Sequence, residues 1–154
     1  PSSTLPDPVF TPTTTEDTGH DIALTFKELS KKRGTEEAEI LRNKSIEIYK
    51  LANNYAEERG LIIADTKFEF GYLGNSIILI DELLTPDSSR FWLKDEYREG
   101  SLQLGLDKQY LRDYLESLDW DKTPPAPPLP DKIVKNIYKR YLEAYKRITG
   151  EDEI

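Results

Sequence analysis

The chain has 154 residues, a length suited to one domain with room for a real core. Its 29 Asp and Glu residues against 21 Lys and Arg give a net charge of −8, which argues against a nucleic acid or an anionic membrane surface as the main partner. The lack of Cys excludes disulfide and thiolate chemistry, the single His20 excludes a multi-His metal site, and no apolar run approaches the roughly 18 residues of a membrane span.

A site built from oxygen ligands stays open. Residues 1–25 contain Pro1, Pro6, Pro8 and Pro12 among many Thr and Ser, which predicts extended, irregular chain. By composition this is either a flexible tail or a functional loop. Val9 and Phe10 are its candidate anchors, and His20-Asp21 is its one candidate for chemistry. The opening PSSTLPDPVFTPTTTEDTGHD does not look like the start of a fold and reads as the interior of a longer chain.

FKELSKKR at 26–33 predicts a short helix closed by Gly34. Thr35 is then a good N-cap, with Glu36 and Glu37 in the first turn of a helix running to Arg59 and stopped by Gly60. Ala38, Leu41, Ile48, Ala52, Tyr55 and Ala56 recur at helical spacing and predict its core-facing stripe.

The stretch 61–92 organises the rest. Read as a strand, 61–70 alternates with period two, so Asp65, Lys67 and Glu69 share one face and Ala64, Thr66, Phe68 and Phe70 the other. YLGN, with Gly74-Asn75, predicts a hairpin turn into the apolar strand SIILIDE. A strand apolar on both faces that ends in Asp81-Glu82 calls for something to pair with those acids. With Lys67 opposite Asp81 and Glu69 opposite Leu79, the patch gathers Asp65, Lys67, Glu69 and Asp81. A one-residue slip would move Asp81 to the aromatic face. Acids around one Lys suit a hard cation such as Mg²⁺ with the Lys on an anionic ligand, and a surface ion-pair ladder is the competing reading.

Thr85-Pro86-Asp87-Ser88-Ser89 is turn chemistry, after which Phe91 and Trp92 are expected to bury and fix the loop end. Ser-Ser-Arg on a rigid loop can bind phosphate, or be a plain Ser turn beside a surface Arg. Asp107 is a candidate cap for a helix KQYLRDYLESL, with Tyr110, Leu111, Tyr114, Leu115 and Leu118 inward. Lys108 and Arg112, four apart, either reach an anion or face solvent. PPAPPLP at 124–130 predicts a polyproline II connector packed on the domain, with a partner ligand as the weaker alternative. Asp131 starts a last helix with Ile133, Val134, Ile137, Tyr138, Tyr141, Leu142, Tyr145 and Ile148 inward, ended by Gly150.

Several stretches together resemble the phosphoribosylaminoimidazole-succinocarboxamide synthase (SAICAR synthetase) family. They are LPDPVFTPTT and GHD near the start, IADTKFEFG at 63–71, LIDELLTPDSSRFW at 79–92, DKQYLRDYL at 107–115, and PPAPPLP with the RYLEAYKRITG ending. The pair D-x-K-x-E-F-G and D-E-x-x-x-P-D-x-S-R-[FL]-W is the specific part.

The resemblance implies a cytoplasmic ligase of purine biosynthesis. Such an enzyme joins L-aspartate to carboxyaminoimidazole ribotide, forming the succinocarboxamide while ATP becomes ADP and phosphate, with Mg²⁺ required. It implies Glu69 and Asp81 as ligands of the Mg²⁺ on the ATP phosphates, and Asp65 and Lys67 as the catalytic groups at the ribotide carboxylate. Ser89 and Arg90 are implied at the ribotide phosphate, Asp21 near the substrate carboxylate, and Lys108, Gln109 and Arg112 as further substrate contacts. The family often continues its His-Asp pair with Glu-Asn, where this chain has Ile22-Ala23. It also implies an α+β C-terminal domain over 26–154 behind an extended substrate-site segment over 1–25. The family's N-terminal nucleotide-binding region has no counterpart in these residues. The chain is therefore expected to be a C-terminal part, inactive alone, whether a truncated product, a proteolytic remnant or half of a split enzyme. A non-catalytic nucleotide- or ribotide-binding module of the same fold is the alternative, and self-association into a homo-oligomer stays open.

Overall fold

A computed structural model describes residues 2–15, 21–106 and 108–152. Among the described residues, four helices and four strands follow in the order α1 (Phe26–Arg33), α2 (Thr35–Glu57), β1 (Leu61–Thr66), β2 (Glu69–Leu73), β3 (Ser76–Ile80), β4 (Ser89–Leu93), α3 (Gln109–Glu116) and α4 (Asp131–Thr149). This is the expected α+β architecture of antiparallel strands and amphipathic helices. Among the described residues no helix is long and apolar enough to cross a membrane.

The helices begin and end where local chemistry dictates. Thr25 and Glu28 form a reciprocal capping box at the start of α1, and Gly34, at φ 91°, ends it. Thr35 is not the N-cap of α2 as its side chain suggested; it is the first helical residue, and Gly34 caps without a side-chain hydrogen bond. Gly150, in the left-handed region, ends α4 as expected. The cap expected from Asp107 lies outside the described residues. Lys108 instead precedes the first turn of α3 with no side-chain cap.

The core is small and built on β1 and β4. Leu61, Ile63 and Phe91 are almost fully buried against Ala56 of α2, Leu106 and Ala144 of α4, with Tyr49, Ala52, Leu84, Leu93 and Ile148 packed around them. The Ala residues let the helices approach the strands closely. The Tyr49 hydroxyl donates to the Ile63 carbonyl at 2.6 Å, tying α2 to β1. Tyr55, expected inside, lies half exposed and reaches the Ile148 carbonyl with its hydroxyl at 2.9 Å. Val134 and Tyr138 are likewise exposed, so the inward stripe of α4 is narrower than its apolar spacing suggested.

The strands depart from the expected single hairpin in two ways. First, 61–70 is not one strand: the chain breaks at Lys67-Phe68, and two separate antiparallel pairs form, β1 with β4 and β2 with β3. β4 was expected as an ordered loop end, yet Ser89 and Phe91 point inward and Arg90 outward, the alternation of a half-buried strand. Second, β2 and β3 pair Glu69 with Ile80 and Phe70 with Leu79, one residue away from the register that sets Glu69 opposite Leu79 and Lys67 opposite Asp81.

The 124–130 segment also corrects an expectation. It is exposed along its length apart from a half-buried Pro127, and so is not packed on the described part of the chain.

Candidate functional site

Ala64 decides which way the chemistry faces. Across β1 and β4, Ile63 pairs with Phe91, but Asp65 rather than Ala64 pairs with Arg90, so Ala64 is the extra residue of a β-bulge. Strict alternation from buried Leu61 and Ile63 would send Asp65 into the core. The bulge reverses the parity. Thr66 now turns inward, its hydroxyl 2.8 Å from that of buried Ser89, and Asp65 turns outward onto Arg90. The Arg90 guanidinium grips the Asp65 carboxylate through two hydrogen bonds, Nε to Oδ1 at 2.8 Å and Nη2 to Oδ2.

Lys67 stands at the break between β1 and β2. Its ammonium lies 2.7 Å from Glu69 and 3.4 Å from Asp21. The bond to Glu69 is the main reason its pKa lies above the ordinary Lys value, with Asp21 adding to it. Asp21 is brought there by a short ladder: Thr14 donates to Ile22 and Leu24 to Pro12, with Thr13 and Ala23 in a bridge. The neighbouring His20 lies outside the described residues.

Asp81 reaches the site by a different route from the one its expected register required. Its φ of 63° places it in the left-handed region just after β3, so the chain turns as the strand ends. Asp81 therefore lines the same recess as Glu69, although Glu69 faces Ile80 across the strands.

The turn at 85–89 is tied internally. The Thr85 hydroxyl accepts from the Asp87 and Ser88 amides at 3.2 Å, and the Ser89 amide donates to the Thr85 carbonyl at 2.9 Å. This fixes Asp87 where it pairs with Lys108 at 3.2 Å.

Two open clefts result. One, of about 370 Å³, is lined by Asp65, Thr66, Lys67, Ser89 and Arg90 with Thr11 and Pro86. The other, of about 290 Å³, adds Glu69, Asp81 and Glu82. Lys67, Asp87, Ser88, Lys108 and Arg112 line both, so the clefts share one wall. Of the residues singled out in the sequence, Asp65, Lys67, Glu69, Asp81, Ser89, Arg90, Lys108 and Arg112 come together here. Asp21 touches the site through Lys67, while Gln109 lines neither cleft and donates to Asp113 at 2.7 Å. Sequence reasoning missed Thr11, Thr66, Pro86 and Asp87 as lining residues, whereas Glu82, beside Asp81, and Ser88, in Ser-Ser-Arg, belong to motifs already singled out. Asp87 lies inside the turn already noted, and only its pairing with distant Lys108 reveals its place.

Among the described residues no three His, Cys, Asp or Glu side chains gather closely enough to hold a metal ion by themselves. Four carboxylates, Glu69, Asp81, Glu82 and Asp87, spread along one cleft suit instead a Mg²⁺ that arrives on phosphate oxygens, since Mg²⁺ commonly takes only one or two protein carboxylates.

Acids at one end, cations along the shared wall and a guanidinium fork at the other define an α+β domain with an open cleft suited to small phosphate- and carboxylate-bearing ligands. A family model described as SAICAR synthetase matches residues 1–127. The chain belongs to the SAICAR synthetase family. It is 53% identical over 151 residues to the phosphoribosylaminoimidazole-succinocarboxamide synthase of Desulfotalea psychrophila, covering 97% of this chain and 51% of that protein. It superposes on SAICAR-synthase from Saccharomyces cerevisiae complexed with SAICAR at a TM-score of 0.85 and 38% identity, over 99% of this chain and 50% of that one. A SAICAR synthetase (Type-2) in complex with ADP matches at a TM-score of 0.71 and 26% identity, over 97% of this chain and 54% of that one. The chain spans about half the length of the curated relatives it matches.

Proposed function

We propose that this chain carries the ribotide- and metal-facing side of a ligase that forms SAICAR from carboxyaminoimidazole ribotide, L-aspartate and ATP. The observation that carries the reading is the wall of Lys67, Asp87, Ser88, Lys108 and Arg112 shared by an acidic and a basic cleft. One ligand with a phosphate at one end and a carboxylate at the other can span both. Arg90, with Ser89, Lys108 and Arg112 nearby, receives the ribotide phosphate. Asp65, Lys67 and Asp21 face the ribotide carboxylate, and Gln109 steadies the first turn of α3.

Glu69 and Asp81 hold Mg²⁺ with the ATP phosphates. The metal neutralises phosphoryl charge when bound. The terminal phosphoryl passes to the ribotide carboxylate, giving an acyl phosphate and ADP. The aspartate amine then attacks that carbonyl, loses a proton, and phosphate leaves. Lys67 is placed to follow the negative charge, because it already bridges two carboxylates and can give up one for a phosphoryl oxygen.

Titration calorimetry of the chain with SAICAR, and of a full-length enzyme of the family carrying these residues with Mg-ATP, tests this. SAICAR is expected to bind saturably. Glu69→Gln is expected to weaken Mg-ATP by about tenfold while leaving SAICAR within about twofold, because it removes one oxygen ligand from a metal that has few. A chain that takes up no SAICAR, or equal Mg-ATP affinity in the variant, would overturn the corresponding half of the assignment.

A further inference from the structure

We infer that Arg140, on α4 and outside both clefts, is a positioning residue that sets Lys108 and Arg112 in the shared wall. The inference rests on the reading of those two cations as anion contacts.

α3 has little of its own to hold it. None of its residues is fully buried, and it carries no side-chain cap at its start. Its approach is anchored at Leu106, which is buried in the core and whose amide donates to the Phe91 carbonyl at 2.8 Å. From there to Arg112 the chain must hold two long cationic side chains over the clefts, and α4 supplies the hold. The Arg140 guanidinium carbon lies over the Tyr110 ring, 4.6 Å from its centroid, and its Nη1 donates to the Gly105 carbonyl. One turn earlier on α4, the Asn136 amide donates to the Tyr110 hydroxyl at 2.8 Å.

One planar group thus touches both the entry to α3 and its first turn. It sets the spacing between Gly105 and Tyr110, and Lys108 lies between them. Arg112 follows four residues after Lys108, its amide bonded to the Lys108 carbonyl at 3.1 Å. The Arg140 contacts need a flat face for the ring and an edge donor for the carbonyl together. A Lys ammonium keeps the charge but cannot present both.

The test is a set of SAICAR affinities with melting temperatures measured alongside. Arg140→Lys is expected to weaken SAICAR by about five- to tenfold, the scale of a partly desolvated cation–π contact, with the melting temperature little changed. Lys108→Ala combined with Arg112→Ala weakens it as well. Adding Arg140→Lys to that pair produces no further loss, because the groups through which it acts are gone. If the losses multiply, Arg140 supports the whole fold rather than these two side chains, and the inference fails. It fails too if Arg140→Lys alone leaves SAICAR unchanged. If the Lys108 and Arg112 substitutions themselves leave SAICAR unchanged, the anion reading fails first and takes this one with it. Should Arg140→Lys not fold, Tyr110→Leu removes the ring from the other side, and the same loss and the same lack of additivity are expected.

Discussion

Arg90→Ala is expected to lower the affinity of the chain for SAICAR by about 100-fold, the largest effect of any substitution in the clefts. The guanidinium is a two-pronged donor, and each charge-assisted hydrogen bond to a phosphate contributes roughly 1.5–3 kcal/mol. Against this stands the present grip on Asp65, which a phosphate must share or break. That pair is about half exposed, with side chains 49% and 54% accessible, so it holds Arg90 back by no more than about 1 kcal/mol. With both bonds at the low end of that range, the phosphate wins by a margin of roughly 2–3 kcal/mol, which sets the 100-fold figure. Arg90→Lys recovers little, because an ammonium cannot reproduce two parallel bonds. Calorimetry with SAICAR reads the effect, and Mg-ATP binding to a full-length enzyme of the family with the same substitution serves as the control. If Mg-ATP loses more than SAICAR does, Arg90 belongs to the nucleotide end and its assignment to the ribotide phosphate is wrong.

Phe91→Ala is expected to reduce the stability of the fold by about 3–5 kcal/mol, measured by urea unfolding. Phe91 is 1% exposed and lies at the centre of a core with few other large side chains. Its neighbours within that core are mostly Ala and aliphatic residues, too short to close over the space it leaves. Domains of this size hold only about 5–15 kcal/mol in total, so one ring is a large share. The loss also reaches the clefts, because Phe91 pins the inward parity of β4 that turns Arg90 outward. A loss below about 1 kcal/mol would mean that the β1–β4 layer is not the main support of the fold.

Much of this architecture was legible in the residues. The bounds of α1 and α4 follow from Gly34, Asp131 and Gly150, and the hairpin turn from Gly74-Asn75. Periodicity could carry the reading only as far as the alternation is unbroken. It cannot reveal that Ala64 bulges, because a small apolar residue is acceptable either paired or extra. It also cannot reveal that Asp81 adopts a left-handed conformation, although Asp is one of the few residues that tolerates it. These two local departures decide how Asp65 and Asp81 meet the clefts. The acids that a regular hairpin would gather in one patch thus line the two clefts, but by a different geometry from the one expected. The strand β4 was hidden because its start, Ser89, belongs equally to the preceding turn. Only pairing with β1, a long-range event, makes it a strand.

The break at Lys67-Phe68 divides the protein into units of unequal cooperativity. β1 and β4 carry Leu61, Ile63, Ser89 and Phe91, all nearly inaccessible, whereas β2 and β3 contribute no buried residue. Amide hydrogen exchange should therefore be slow in β1 and β4, where opening requires global unfolding, and faster in β2 and β3, which can open alone. Equal protection in the two pairs would refute the division. Asp65 and Arg90 then ride on the persistent unit, and Glu69 on the labile one with Asp81 just beyond its end. The acidic end of the clefts is the end able to yield locally, while the guanidinium end stays as a fixed reference frame.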